Sequence, residues 1–117
     1  MSPFTSDPSH EVSPERVKEM LDRGEIELID VREQYEWDAG RIPGAKHIEL
    51  ERVAARAGEL PRDRPVVFQC RLGARSAMVT EAFRASGYDA YNLTGGISAW
   101  VESGLPLDPQ GGHVAPH

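Results

Sequence analysis

One cysteine, Cys70, stands where the sequence could support nucleophilic chemistry. It follows the apolar run from Val66 to Phe68 and precedes a polar loop and a helical pattern, so its thiol is expected at a strand-to-helix turn. Unpaired backbone N–H groups and the positive end of the helix dipole favour a thiolate there. Arg71 and Arg75 act in the same direction, and the thiolate is the nucleophilic form of cysteine. A free cysteine is commonly just a buried apolar side chain, but two nearby arginines favour the reactive alternative.

The loop that follows Cys70 could supply an anion-binding site. Its backbone N–H groups, from Cys70 to Arg75, can turn inward to form a concavity that holds an anion. Gly73 helps such a loop to close, because glycine adopts positive φ and lets the backbone approach a ligand. We therefore predict that the site holds either an anion derived from the thiolate or the oxyanion of a substrate.

The elements that must position this loop alternate between short apolar strands and amphipathic helices. Strands are predicted at residues 26–31, 47–48, 66–68 and 90–93. Helices are predicted to begin near residues 14, 33, 50, 76 and 96. The alternation favours an α/β domain with a parallel sheet covered by helices. In such a sheet ligands bind beyond the carboxyl ends of the strands, which is where Cys70 would lie.

Length and composition limit the classes of protein and of partner. The 117 residues suit one domain, and the formal net charge of −6 argues against binding to nucleic acid or to an anionic membrane. No apolar stretch approaches the length of a membrane span, and residues 1–10 lack a signal-peptide core, so we expect a cytoplasmic protein. A single cysteine excludes an internal disulfide, which agrees with a reducing compartment. We assign residues 12–107 to the domain and predict flexible segments at residues 1–11 and 108–117.

Several ordered motifs resemble those of single-domain rhodaneses, the thiosulfate sulfurtransferase family. The segment CRLGARS at residues 70–76 is similar to the active-site loop of that family. The segments LIDVRE at residues 28–33 and GRIPGA at residues 40–45 resemble its N-terminal signature, in which a histidine more usually stands in place of Arg41. The segment LTGGISAW at residues 93–100 resembles its C-terminal signature. The resemblance extends over the whole predicted domain.

The resemblance implies five parallel strands flanked by helices on both faces, and it implies a persulfide mechanism. The Cys70 thiolate would attack the outer sulfur of thiosulfate or a related donor, release sulfite and hold the sulfur as a persulfide. A thiol, or cyanide in an assay, would then accept that sulfur. Arg71 and Arg75 would bind the anionic donor and the leaving sulfite. The implied substrate-binding residues are Arg71, Leu72, Gly73, Ala74, Arg75 and Ser76.

Two other functions remain open. Cysteine phosphatases and arsenate reductases of this fold place five residues between the cysteine and the anion-binding arginine, whereas four separate Cys70 from Arg75. The shorter loop makes a smaller cradle, which suits a sulfur atom better than a tetrahedral phosphate. The domain could instead be a slow or non-catalytic carrier or docking module that passes sulfur between proteins. A carrier would hold a stable persulfide and turn over thiosulfate slowly.

The remaining polar residues predict support and an external partner rather than a cofactor. Asp30 and Arg32 match the N-terminal signature, and we expect them to pair as structural support rather than to catalyse. The four histidines lack the spacing of metal ligands, so we predict neither a metal nor another cofactor. No second cysteine is present to resolve a persulfide, so the acceptor must come from outside the chain. Glutathione, a thioredoxin-like protein or another sulfur-accepting protein would each serve.

Overall fold

A five-stranded parallel sheet covered by helices forms the fold in the computed structural model, which describes residues 9–117. The strands are β1 (Glu11–Val12), β2 (Glu27–Asp30), β3 (Lys46–His47), β4 (Val66–Gln69) and β5 (Ala90–Leu93). The helices are α1 (Pro14–Asp22), α2 (Gln34–Ala39), α3 (Leu50–Val53), α4 (Ala74–Ala85) and α5 (Gly96–Glu102), with a 3₁₀ turn at Ala57–Glu59. The strand order is β1-β5-β4-β2-β3, and every pairing of neighbours is parallel. This architecture confirms the predicted fold class.

Two apolar cores lie on opposite faces of the sheet, because alternate residues of a strand point to opposite sides. On one face Leu28 and Val67 belong to the core that α1 and α5 cover. On the other face Ile29 and Phe68 belong to the core that α3 and α4 cover. The buried helix side chains are Val17 and Met20 from α1, Ile97 and Trp100 from α5, Val53 from α3, and Val79 and Phe83 from α4. Helices therefore flank the sheet on both faces, as predicted.

The helices begin where local hydrogen bonds permit. At the start of α1 the Ser13 hydroxyl accepts a hydrogen bond from the Arg16 N–H at 3.2 Å, and Pro14 occupies the first turn. The predicted helix from residue 50 is shorter than expected and gives way to the 3₁₀ turn, whereas α4 begins two residues before the predicted start. Among residues 9–117 no helix is long and apolar enough to cross a membrane.

Strand β1 lies across the predicted N-terminal boundary of the domain, between residues 11 and 12. Glu11, which the sequence placed in a flexible segment, lies in β1 and pairs in register with Asn92 of β5. A strand of two residues shows no periodicity of its own, and it forms only because β5 supplies the neighbouring backbone. The rest of the predicted flexible segment, up to residue 8, lies outside the described residues.

Residues 108–117, which the sequence analysis predicts to be a flexible segment, make hydrogen bonds and apolar contacts with the domain. Asp108 and Arg41 exchange two backbone hydrogen bonds of 2.8 and 2.9 Å. Farther along, the N–H of His113 donates to the Ala39 carbonyl at 3.0 Å. Ala115 is buried, with 7% of its surface exposed. Backbone pairing of this kind leaves no side-chain pattern, so the polar composition of the segment gave no sign of it.

Candidate active site

Cys70 directly follows β4, which is the central strand of the sheet. All four residues of β4 are buried, β2 and β5 pair with it on either side, and Cys70 follows directly with 1% of its surface exposed. The chain runs outward from β2 to β3, then returns to β4 and continues to β5 in the opposite direction. Such a reversal opens a crevice beyond the carboxyl ends of the strands, where α/β proteins bind ligands.

The Cys70 sulfur receives two hydrogen bonds from its own loop. The backbone N–H of Gly73 donates to Sγ at 3.1 Å, and the Ser76 hydroxyl donates to it at 3.4 Å. Gly73 has a φ of 104°, which favours glycine, and it directly precedes the first residue of α4. The sulfur thus lies among donor groups of its own loop, directly before the N-terminus of the twelve-residue helix α4.

Helix α5 donates two backbone hydrogen bonds to the same loop. The N–H groups of Ile97 and Ser98 donate to the carbonyls of Cys70 and Arg71 at 2.9 and 3.1 Å. Gly96 permits this approach, since a Cβ at that position would lie 2.3 Å from the Cys70 carbonyl oxygen. The two glycines at the start of α5, Gly95 and Gly96, therefore permit a close contact between two backbones as well as a turn.

Strands β1 and β5 support the loop through Asn92. The Asn92 Nδ2 group donates to the Gly73 carbonyl at 3.1 Å and to the Glu11 carboxylate at 3.0 and 3.2 Å. Thr94 also donates to Glu11, at 3.1 Å. Sequence reasoning missed Asn92 and Glu11, because neither stands near Cys70 in the chain and their contact depends on β1.

A cavity of about 200 Å³ opens beside Cys70. Its lining consists of Cys70, Arg71, Leu72, Ala74, Arg75 and His117. Five of these six residues belong to the predicted loop, and the remaining two loop residues, Gly73 and Ser76, contact the sulfur instead. The structure thus brings together every residue of the predicted active-site loop.

The two arginines of the loop differ in their partners. Arg75 is bound by both carboxylate oxygens of Glu36, at 2.9 and 3.1 Å, and Glu36 is completely buried. Arg71 has a buried Nε without a hydrogen-bond partner, and no carboxylate among residues 9–117 forms an ion pair with it. The charge of Arg75 is therefore already balanced, while Arg71 offers a free cation to the cavity.

Glu36 is a site residue that sequence reasoning missed. Burial disfavours its charged form, but hydrogen bonds from Arg75 and from the Glu33 N–H outweigh burial and hold the pKa of Glu36 below its ordinary value. Burial likewise acts to lower the pKa of Arg75, and the Glu36 carboxylate overcomes this and raises it. The spacing of Glu33 and Glu36 is that of a capping box, which a closer reading could have found. The contact with Arg75, 39 residues away, leaves no signal in the sequence.

Asp30 and Arg32 form a completely buried ion pair, and neither lines the cavity. The Arg32 Nε lies 3.0 Å from both Asp30 oxygens, and its NH2 group also donates to the Gly40 carbonyl at 2.8 Å. Gly40 follows the last residue of α2. The pair therefore ties the end of β2 to the end of the helix that carries Glu36.

One histidine, His117, reaches the cavity. Its Nε2 atom lies 3.2 Å from a Glu33 oxygen, and together with Glu36 these groups lie within 4.8 Å of one another. Such a cluster could surround a cation, but the Glu36 carboxylate is already neutralised by the Arg75 guanidinium. We therefore assign no metal to these residues.

The fold and the site together define an α/β protein with a parallel sheet whose central strand is followed by a loop around a buried cysteine and a cavity. The chain belongs to the rhodanese-like domain family, whose model matches residues 13–103. It is 37% identical over 100 residues to a sulfurtransferase of Allochromatium vinosum, a match covering 84% of this chain and 94% of the relative. It is 29% identical over 99 residues to the thiosulfate sulfurtransferase GlpE of Actinobacillus succinogenes, covering 84% of this chain and 89% of that protein. A rhodanese-related protein of Thermoplasma volcanium has a similar structure, with a TM-score of 0.77 and 27% identity over 83% of this chain and 95% of its own.

Replacement of Gly96 by alanine should destabilise the fold. The new Cβ would meet the Cys70 and Arg71 carbonyl oxygens at 2.3 and 2.6 Å, and φ at this position is +60°. We expect the free energy of unfolding to fall by about 3 kcal/mol, from backbone strain together with overpacking. The matched control is Gly104→Ala, because Gly104 has a φ of +77° with no atom near the added Cβ. Its cost should be about 1 kcal/mol from strain alone. Equal losses of unfolding free energy for the two variants in denaturant titrations would contradict the close contact at Gly96.

The Glu36→Gln substitution should lower stability in a pH-dependent way. The lowered pKa of Glu36 means that its charge stabilises the fold above the ordinary value of 4.5, and that this contribution is lost as the pH falls through the lower folded value. We expect a loss of about 2 kcal/mol at neutral pH, typical of hydrogen bonds to a charged group, that shrinks below pH 4.5.

The control for Glu36→Gln is Glu59→Gln, which alters an exposed ion pair with Arg56 of similar geometry. Solvent screens this pair, so its loss should change unfolding little at any pH. Denaturant titrations across a pH series compare the two variants. If the loss of unfolding free energy depends on pH in the same way in both variants, the contact between Glu36 and Arg75 does not stabilise the fold more than an exposed ion pair does.

Proposed function

We propose that this protein moves sulfane sulfur from thiosulfate, or a related anionic donor, to a thiol or cyanide acceptor through a persulfide on Cys70. One observation carries the proposal. The Cys70 sulfur accepts hydrogen bonds from Gly73 and Ser76 and borders a cavity into which an unpaired Arg71 contributes a positive charge. A nucleophile beside an anion site is what the first half of such a reaction needs.

In the first step the Cys70 thiolate attacks the outer sulfur of thiosulfate. A bond forms between the two sulfur atoms, and the bond from the outer sulfur to the sulfonate sulfur breaks with its electron pair, which leaves as sulfite. The product is the persulfide Cys70–S–S⁻, so the charge is conserved. Arg71 stabilises the departing dianion, while the Gly73 N–H and the N-terminus of α4 stabilise the anionic sulfur.

In the second step an acceptor nucleophile attacks the terminal sulfur of the persulfide. A thiolate leaves as a new persulfide and cyanide leaves as thiocyanate, and both restore the Cys70 thiolate. The acceptor is a separate molecule, because Cys70 is the only cysteine of the chain. A low-molecular-weight thiol such as glutathione, or the thiol of a thioredoxin-like or sulfur-accepting protein, meets this need in a reducing compartment such as the cytoplasm.

The dimensions of the loop support a sulfur donor over a phosphate or arsenate ester. Four residues separate Cys70 from Arg75, and Arg75 is already bound to Glu36. A phosphate or arsenate bound by Arg75 would have to compete with that buried carboxylate, whereas the sulfonate of thiosulfate is proposed to bind Arg71. A relative that bears the name thiosulfate sulfurtransferase adds weight to the same choice.

A second candidate function is that of a slow carrier that receives sulfur from one protein and delivers it to another. The exposed side chain of Leu72 favours it, since 61% of its surface is exposed at the edge of the cavity. An apolar side chain beside a reactive sulfur suits contact with a protein surface. A carrier would accumulate the persulfide and release it slowly to small thiols, whereas the enzyme would show saturable ping-pong turnover.

Incubation with thiosulfate should add the mass of one sulfur atom to the intact protein. Cyanide should remove the added mass and form thiocyanate, because the persulfide sulfur is electrophilic. The Cys70→Ser variant should gain no mass and show only trace sulfur transfer, although its fold is retained. Intact-mass spectrometry with and without cyanide makes the comparison. A mass gain in Cys70→Ser would contradict the assignment of the nucleophile, and no gain in the unaltered protein would remove thiosulfate as the donor.

Replacement of Arg71 by alanine should weaken binding of the anionic donor. We expect KM for thiosulfate to rise about tenfold, as for loss of one charge-assisted hydrogen bond. The rate of Cys70 alkylation by iodoacetate should also fall relative to alkylation by neutral iodoacetamide. Arg52→Ala is the control, because the Arg52 side chain is 69% exposed and lies outside the cavity. Equal KM values in the two variants would show that Arg71 does not bind the donor.

A further inference from the structure

Residues 108–117 lie beyond the part of the chain that matches the family, which ends at residue 103, yet they reach the active-site cavity. The segment first pairs with Arg41 and then follows α2 to its N-terminal end. There the Tyr35 hydroxyl donates to the Pro116 carbonyl at 3.0 Å, and His117 lies 3.2 Å from Glu33. A wall of the cavity is thus supplied by residues outside the matched family region.

Close backbone contacts fix the course of this segment. A Cβ on Gly40 would lie 2.6 Å from the His113 carbonyl oxygen, and a Cβ on Gly112 would lie 2.9 Å from the Ala39 carbonyl oxygen. Both approaches therefore require glycine. Val114 packs against the core that α1 and α5 cover, and Ala115 is buried beside it in the segment. The segment is docked by hydrogen bonds, close packing and apolar burial together.

His117 borders both the Cys70 cavity and a second cavity of about 210 Å³. The second cavity is lined by Val31, Glu33, Glu49, Leu50, Glu51, Arg75 and His117. The two cavities share only Arg75 and His117 among their lining residues. Arg75 is fastened by two hydrogen bonds to buried Glu36, so it remains part of the partition. The His117 side chain, which is 43% exposed and bound to an exposed Glu33, is the part that a substitution removes without touching the core.

We propose that His117, positioned by the docked segment, is a specificity-determining residue that limits the size of the donor or acceptor reaching Cys70. This inference rests on the sulfur-transfer function proposed above. With the imidazole in place, the space beside the sulfur is confined to the cavity of about 200 Å³. Without it, the two cavities join into one groove that admits an aromatic substituent beside the sulfur. A pocket wall of this kind discriminates between substrates by excluding volume.

The single cysteine permits a test that does not depend on sulfur transfer. N-methylmaleimide and N-phenylmaleimide carry the same reactive group and no charge, and they differ in size. We compare their rate constants for modification of Cys70 in the unaltered protein and in His117→Ala. The ratio of the phenyl to the methyl rate constant should rise about tenfold in the variant, as expected when a pocket gains room for a larger group.

His113→Ala is the matched control, because His113 is an exposed histidine of the same segment that does not line the cavity. Its ratio should equal that of the unaltered protein. Gly40→Ala tests the role of the segment, since the added methyl group displaces the His113 backbone without altering any cavity-lining side chain. Its ratio should rise as it does in His117→Ala.

An unchanged ratio in His117→Ala would overturn the role of the imidazole, and an unchanged ratio in Gly40→Ala would overturn positioning by the segment. Sulfur donors then connect access to function. In His117→Ala, kcat/KM for benzenethiosulfonate should rise relative to that for thiosulfate. If neither donor is turned over by the unaltered protein, the proposed sulfurtransferase activity fails while the maleimide ratios still decide the proposal on His117.

Discussion

The buried ion pair between Glu36 and Arg75 is the contact that joins the parts of this site. This ion pair links α2 to α4 across the crevice beyond the strand ends. The Glu36 carboxylate also accepts a hydrogen bond from the N–H of Glu33, the N-cap residue of α2. A completely buried carboxylate is tolerated only when it is fully paired, so the position of Arg75 is as constrained as that of Glu36. Because Arg75 also lines the cavity beside Cys70, this internal constraint fixes one wall of the candidate active site.

Because of this constraint, the two loop arginines contribute differently to the electrostatics of the cavity. A guanidinium whose two ends are held by a carboxylate contributes shape and little net charge, whereas a free guanidinium contributes charge to any anion that enters. The Arg71 guanidinium is free in this sense, and Arg71 directly follows Cys70 in the chain. The loop itself is held by Ile97, Ser98 and Asn92, so its amides keep their orientation before a donor arrives. Preorganisation of this kind is what makes electrostatic stabilisation effective, because no reorganisation is required during the reaction.

Local sequence patterns predicted the fold and the loop around Cys70. They could not predict contacts between residues that are far apart in the sequence. The strand before Cys70, the helix after it and the ordered motifs all depend on neighbouring residues, so they were visible in the chain. Strand β1, the partner of Arg75 and the docking of residues 108–117 depend on pairs of segments that meet only after folding. Glu36 illustrates the limit, because its spacing from Glu33 predicts a helix cap but nothing in it predicts burial against an arginine from α4.

The residues that contact the Cys70 sulfur and the 108–117 segment that borders the cavity lie in different parts of the chain. The elements that hold the sulfur, from β4 through α5, lie within the region that matches the family, and they must satisfy one demanding backbone geometry. The 108–117 segment is held by backbone hydrogen bonds, by close glycine contacts and by apolar burial, and it donates no hydrogen bond to the Cys70 sulfur. A change at its exposed residues therefore leaves the hydrogen bonds to the sulfur in place. If His117 limits the donor as proposed, substitutions in this segment would change the choice of donor while the chemistry proposed for Cys70 stays the same.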